Sequence, residues 1–248
     1  MNIKILYKKL CTATNHIPLD RAVWPAEWTK IYTKQYRRFE ETLLPADLIP
    51  VDTSLQDVLT QRVSYRTPEA CSITLHELST ILYYTAGLKG PIRDPAVASS
   101  AEIFNKTRRH YPSGGARYPL ELYVGIQNHA ELATGLYHYN VINHSLTKLF
   151  SSAHYEKMKG CITANWVKKA PIFFMTSAVY TRTTVKYADA GLSLILTESG
   201  HMQQNLLLVA AALGKKSCVV NGFKRAQIEE IYDFDEEEIL INMIPIST

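Results

Sequence analysis

Little in this sequence is concentrated enough to name a partner. Its four cysteines, Cys11, Cys71, Cys161 and Cys218, lie far apart. They form no Cys-x-x-Cys pair and no Cys/His metal spacing, so no metal ligand is assigned. This usage predicts a reduced, cytoplasmic setting with the cysteines as core filler. Lys and Arg exceed Asp and Glu by 27 to 23, a net charge of +4, and no basic run reaches five residues. A nucleic-acid groove is not expected, while an anionic small ligand stays open. The opening "MNIKILYKKL" is too short and too charged for a signal peptide. The longest apolar stretch, 192–213, is broken by Glu198, His201, Gln203, Gln204 and Asn205, which argues against a membrane span. There is no internal repeat and no low-complexity tract.

What remains is the composition of a packed globular chain, 46% hydrophobic and 20% charged over 248 residues. Residues 1–50 carry prolines at 18, 25, 45 and 50 together with Trp24 and Trp28, and read as an extension packed on a main body at 51–248. From Thr53 the pattern becomes regular. "TSLQDVLTQR" places Thr53 and Gln56 at capping-box spacing. "TLHELSTILYYTAG" repeats the device with Thr74 and Glu77, lines up Leu75, Leu78, Ile81 and Leu82 on one face, and stops at Gly87. Leu120, Leu122, Val124 and Ile126 alternate with Glu121, Tyr123 and Gly125, the period of a strand. "GLYHYNVINHSLTKLF" predicts a hairpin turning near Asn143-His144, and "APIFFMTSAV" a buried central strand. One long helix is expected over 188–213, closed by Gly214, then a strand at 217–220, a helix near 224–233 and a final strand at 239–246. Helices first, then hairpins around a long buried helix, predict an α+β fold rather than a doubly wound sheet.

Four segments could carry chemistry. In "QRVSYR" (61–66), Arg62, Ser64 and Arg66 would project to one side of an extended backbone and suit a phosphate, although a solvated helix end accounts for them as well. In "PSGGARYP" (112–119), adjacent glycines let backbone N–H groups converge on an anion or ring edge beside Arg117; a plain turn entering a strand is the alternative. Lys186-Tyr187 follows the buried strand, where such a pair can handle a proton or simply face solvent. "ESGHMQQN" (198–205) sets polar side chains into an apolar helix, as a subunit interface or a cofactor wall requires.

In this order the four segments resemble the nitroreductase-like flavoproteins, and within them the SagB-type dehydrogenases, relatives of the McbC-like azoline oxidases. The resemblance rests on R-x-S-x-R at Arg62–Arg66, P-S-G-G-A-R-Y-P at Pro112–Pro119 with the strand "LELYV", "GLYHY" at 135–139, Lys186-Tyr187, and E-x-G-H-x-x-Q-N from Glu198 to Asn205. It implies a central, mostly antiparallel sheet flanked by helices, with FMN at a homodimer interface. On that resemblance Arg62, Ser64 and Arg66 contact the FMN phosphate, ribityl chain or pyrimidine edge. Ser113, Gly114, Gly115 and Arg117 lie along the flavin, Gln204 and Asn205 belong to the cofactor wall, and Asn221 and Gly222 of "VVNGF" meet the ring near N5. Lys186 and Tyr187 stand where the azoline oxidases carry their catalytic pair. Ala116 replaces the asparagine common in nitroreductases, which favours the SagB-type branch. The terminal "IPIST" lacks the basic tail that often helps hold the phosphate, so the load shifts to Arg62 and other cations.

The activity so implied is FMN-dependent oxidation of thiazoline or oxazoline rings to thiazoles or oxazoles in a ribosomally made or otherwise modified peptide, with a cyclodehydratase complex among the partners. Two other readings stay open at this stage. One is a generic NAD(P)H-dependent nitroreductase or flavin reductase in which Lys186 is dispensable. The other is a flavin-free scaffold subunit of a peptide-modifying complex.

Overall fold

The apolar alternation of the sequence becomes a sheet covered on both sides. The computed structural model describes residues 3–11, 17, 18, 20–29, 33–66, 72–94 and 108–247, so the core-filler expectation for Cys71 and for the side chain of Cys11 falls outside it, while Cys161 and Cys218 are buried. Seven strands among these residues are β1 (Glu41–Leu43), β2 (Leu120–Ile126), β3 (Gly135–Asn140), β4 (Ser145–Phe150), β5 (Ile172–Val179), β6 (Lys216–Ser217) and β7 (Glu238–Ser247). They form one sheet in the order β1-β4-β3-β2-β5-β7-β6, with each neighbouring pair antiparallel. The α-helices among the described residues are α1 (Ile3–Cys11), α2 (Ala26–Thr29), α3 (Leu55–Gln61), α4 (Leu75–Ala86), α5 (Ser152–Cys161), α6 (Thr181–Tyr187), α7 (Ala190–Ala212) and α8 (Arg225–Tyr232).

Successive residues of a strand face opposite sides, and β2 uses both. Leu120, Leu122, Val124 and Ile126 enter one core with Leu78, Ile81 and Leu82 of α4 and Ile195, Met202 and Leu206 of α7. Tyr123 enters a second core with Tyr155 and Met158 of α5 and Ile228 and Tyr232 of α8. Both faces of β2 are thus buried, Glu121 included. This is the α+β class expected from the order of elements. The segment before residue 50 adds β1 at the sheet edge, where Glu41 accepts hydrogen bonds from Asn140, Asn143 and Ser145 of the β3–β4 hairpin.

Local signals held with small shifts. Thr74 and Glu77 form the reciprocal capping box of α4, and Gly87 ends that helix. The cap of α3 is Ser54, whose hydroxyl accepts from Asp57 N at 3.1 Å, rather than the expected Thr53 with Gln56. An acceptor one residue later meets the N3 amide just as well. The hairpin turns with His144 at φ 46°, and Gly214 at φ 69° closes the long helix. The strand expected at 217–220 is paired only over Lys216–Ser217, with Val220 forming an isolated bridge to Met243. Helix α5 had no counterpart in the sequence reading, because its buried side is only Tyr155, Met158 and Cys161.

Gly125 of β2 marks the tightest contact in the second core: a Cβ there would lie 1.8 Å from Phe173 Cζ. Gly125→Ala should therefore cost about 3 kcal/mol in urea unfolding, as overpacked cores do. Adding Phe173→Ala should cost less than the two single effects together, because the substitutions share one clash.

Candidate active site

The centre of the candidate site is the Ser113–Arg117 turn, and its backbone is unusual. Gly115, Ala116 and Tyr118 have φ of 60°, 54° and 47°, two of them on residues with a Cβ. Left-handed backbone at a non-glycine residue costs on the order of 1–2 kcal/mol, so neighbouring groups must hold it. Within the turn, Ala116 N donates to Ser113 O at 3.0 Å and Tyr118 N donates to Ser113 Oγ at 2.8 Å. From outside, Arg117 does the holding. It is 1% exposed, and its Nε donates to Arg182 O at 2.6 Å while Nη1 donates to Trp28 O at 2.8 Å.

Arg182 is anchored in turn. Its Nη1 lies 2.6 Å from Glu121 Oε1, whose other oxygen pairs with His138 Nε2 at 2.8 Å. Burial alone would raise the Glu121 carboxyl. The Arg182 guanidinium, His138 and Arg109 outweigh it and hold the group well below the usual carboxylate range. A buried carboxylate on β2 thereby docks α6 against the turn.

That docking brings Lys186 and Tyr187, at the end of α6, onto Gly115. A Cβ on Gly115 would lie 2.5 Å from the Tyr187 hydroxyl and 3.3 Å from Lys186 Nζ, so only glycine allows the approach. Lys186 is 1% exposed, and its Nζ stands 3.4 Å from the centre of the Trp24 indole. Trp28 packs edge-on against Trp24 and donates from Nε1 to Val185 O at 3.1 Å. Burial pushes the Tyr187 phenol up, against the pull of Arg117. The sequence reading treated both tryptophans as packing; their four-residue spacing was the one signal that they could cover a common point.

Helix α7 lines the other side of the turn. Leu194 faces Gly114, where a Cβ would meet Leu194 Cδ1 at 3.2 Å. Glu198, one turn further and 2% exposed, has its carboxyl pushed up to about 8 by burial, which outweighs Ser113, Arg109 and Gly114. Asn205 donates from Nδ2 to His110 O at 3.1 Å and Tyr84 O at 3.5 Å, while Gln204 is exposed.

The Arg-Ser-Arg segment is elsewhere. Arg62 follows α3, Ser64 bridges Ser217, and Tyr65 N donates to Ser217 O at 3.2 Å. Arg62, Val63, Leu207, Ala211, Lys216 and Ser217 are among the residues around a cavity of about 180 Å³. Lys215 is committed to Glu77 Oε1 at 3.0 Å and Ser72 O at 3.1 Å, whereas Lys216 stands 4.4 Å over the Tyr65 ring. Arg66 is exposed. Asn221 is exposed too, and Gly222 O accepts from Thr163 N at 2.8 Å. The α7 residues that mark the two regions, Leu194 and Leu207, are roughly 20 Å apart at the rise of an α-helix. Taken singly, the glycine turn offers backbone suited to a ring edge, and Arg62 with Lys216 offers cationic donors suited to a phosphate. Arg117, expected along the flavin, donates from Nε and Nη1 to backbone carbonyls.

Comparison with known proteins settles what kind of chain this is. The family model described as the Nitroreductase family matches residues 59–246. The chain belongs to the nitroreductase family. One relative of this nitroreductase-family protein is "Putative nitroreductase MJ1384" of Methanocaldococcus jannaschii, 33% identical over 193 residues, 77% of this chain and 89% of that protein. "Microcin B17-processing protein McbC" of Escherichia coli is 27% identical over 139 residues, 53% of this chain and 51% of McbC. "Trifolitoxin-processing protein TfxB" of Rhizobium leguminosarum bv. trifolii is 28% identical over 113 residues, 43% of this chain and 30% of TfxB. Among solved structures, a chain of the E. coli microcin synthetase McbBCD complex with truncated pro-MccB17 bound matches with TM-score 0.59 and 18% identity, over 99% of this chain and 91% of that one. A Ralstonia eutropha JMP134 structure described as "a putative nitroreductase" matches with TM-score 0.64 and 20% identity, over 84% and 88%. These structural matches show the shared fold: a nitroreductase-like antiparallel sheet flanked by helices. Among the described residues no helix is long and apolar enough to cross a membrane, and no three His, Cys, Asp or Glu side chains gather as a metal site.

Arg117→Ala should remove the bonds to the Arg182 and Trp28 carbonyls and lower stability by about 2–4 kcal/mol, read as an earlier urea midpoint. An effect confined to ligand binding, with the midpoint unchanged, would assign Arg117 to the ligand instead.

Proposed function

We propose that this nitroreductase-family protein is an FMN-dependent dehydrogenase that oxidises thiazoline or oxazoline rings of a modified peptide to azoles, acting as a homodimer alongside a cyclodehydratase. The observation that carries the reading is the convergence of Lys186 Nζ and the Tyr187 hydroxyl on Gly115. A nitro-group reductase needs no base there, whereas removal of a carbon-bound proton does. The likeness to McbC and TfxB, whose names describe peptide processing, points the same way.

FMN, when bound, supplies the hydride acceptor that no protein side chain provides. Ser113, Gly114 and Gly115 offer it a backbone surface, and Arg62 with Lys216 offers its phosphate paired and single cationic donors. Ser64, Arg66, Asn221, Gly222 and the exposed Gln204 lie outside the turn and would complete the wall. Asn205 works one step back, fixing the segment at His110. Azoline oxidation removes two hydrogens, one as hydride and one as a proton. In its deprotonated form Lys186 would take the ring proton at Nζ, with Tyr187 orienting it, while Trp24 and Trp28 keep water off the amine.

The second reading, an NAD(P)H-dependent nitroreductase, draws on the 33% identity to MJ1384. Azoline peptide and NADPH with a nitroarene, each offered to the wild type and to Lys186→Ala, separate the two. The variant should lose azole formation, followed as loss of two hydrogens by mass spectrometry, by about 100-fold or more with flavin content unchanged. Full azole formation in the variant removes Lys186 from the mechanism. A wild type that makes no azole but reduces the nitroarene, with or without Lys186, establishes the second reading. Arg62→Ala combined with Lys216→Ala should weaken FMN binding by about 10–100-fold in fluorescence quenching, the scale of one or two charge-assisted hydrogen bonds.

A further inference from the structure

Glu198 stands out among the buried ionisable groups because neither carboxyl oxygen closes a hydrogen bond of standard geometry. The other buried glutamates among the described residues are paired, Glu121 with Arg182 and His138, and Glu238 with Lys34, Tyr123 and Ser177. Glu198 interacts with the Ser113 hydroxyl and the Gly114 N–H of the turn, and with the charge of Arg109. It thus lies directly behind the left-handed stretch that meets Lys186 and Tyr187. An unpartnered charge buried there would be costly, since burial without full hydrogen bonding disfavours the ionised form.

We infer that Glu198 is a positioning residue: as a neutral acid it packs beneath the Ser113–Arg117 turn and keeps it in place, and its ionisation releases the turn. A neutral carboxyl can share the Ser113 hydroxyl, which already accepts from Tyr118 N, without drawing water into the gap. A carboxylate needs two or more donors. The Gly114 N–H and the Ser113 hydroxyl are the near ones, and water reaches the group only if the turn opens. The other ionisable groups close by shift the balance without supplying those bonds. Arg109 favours the carboxylate; its Nη1 donates to Leu120 O at 3.3 Å and to Tyr111 Oη at 3.4 Å, while its buried Nε closes no hydrogen bond to Glu198 or to any other group. Tyr111, buried beside it, and Glu121 on β2 both couple to Arg109. On the far side of the turn, Lys186 and Tyr187 contact Gly115.

The sign follows from linkage. The carboxyl is at about 8 in the fold, against about 4.3 in an unfolded chain, so the folded state holds the proton more tightly. Stability contributed by the neutral form is complete below the unfolded value, falls as pH rises, and is gone above the folded one. The consequence for FMN, that a released turn holds it less tightly, rests on the reading of this turn as the flavin-facing surface.

Hydrogen exchange of the flavin-free protein, corrected for intrinsic rates, tests the inference. Between about pH 7 and about pH 9 the turn amides of the wild type should lose about tenfold in protection, while those of Glu198→Gln stay constant. A matching rise in the FMN dissociation constant is expected in the wild type and not in the variant. The same pH profile in both proteins would overturn the inference. If the turn responds as described but FMN binds neither protein at any pH, the inference stands and the flavin reading fails. Should Glu198→Gln not fold, carboxyl-labelled glutamate NMR of the wild type decides directly. A buried glutamate titrating near pH 8 supports the inference, and titration of every glutamate below about pH 5 contradicts it.

Discussion

The buried ion pair between Glu121 and Arg182 is the constraint from which the site is built. Neither charge can be buried alone, and breaking such a pair by removing one partner costs about 3–5 kcal/mol. The pair therefore fixes the first turn of α6 on β2, and the Arg182 carbonyl then becomes the acceptor for Arg117. Through Arg117 the same constraint reaches Trp28 and the N-terminal segment. It also keeps Lys186 and Tyr187 within contact of Gly115. A turn with Ala116 at positive φ, followed at once by Tyr118 at positive φ, persists because it is held from β2, from α6 and from α7 at once.

Helix α7 reconciles two demands on one surface. Its apolar residues Ile195, Met202 and Leu206 complete the core over β2, while Leu194, Glu198 and Asn205 follow the segment from His110 to Gly114. The i, i+4 and i+11 spacing, close to whole turns of a helix, puts those three along one stripe. Two of the polar interruptions that argue against a membrane span, Glu198 and Asn205, are therefore residues that meet the turn and its approach. The opposite end of the helix, at Leu207 and Ala211, forms the apolar side of the cavity with Arg62 and Lys216.

Much of the fold was legible because it rests on local rules. The Thr74–Glu77 box, the hairpin near His144, the central strand at 172–179 and the long helix closed by Gly214 each follow from spacing within a few residues. The ordered motifs led to the nitroreductase family that the chain proves to belong to. What was not legible is tertiary. Glu121 reads as the solvent side of an alternating strand, and only α6 and His138 make it a buried anchor. Arg117 reads as a ligand contact because it follows two glycines, yet its acceptors are carbonyls 65 and 89 positions away. Trp24 reads as packing until Lys186, far along the chain, is seen beneath its ring. No spacing rule spans such distances.

The central claim is that the Ser113–Gly115 turn and the Arg62–Lys216 cavity are two ends of one cofactor site. Calorimetric titration of the flavin-free protein with FMN, and in parallel with riboflavin, tests it most directly. The account predicts one FMN per chain and binding of riboflavin weaker by about 10–100-fold, since the phosphate contacts are charge-assisted. Equal affinity for the two would contradict the phosphate end of the site, and no uptake of either would contradict the site altogether.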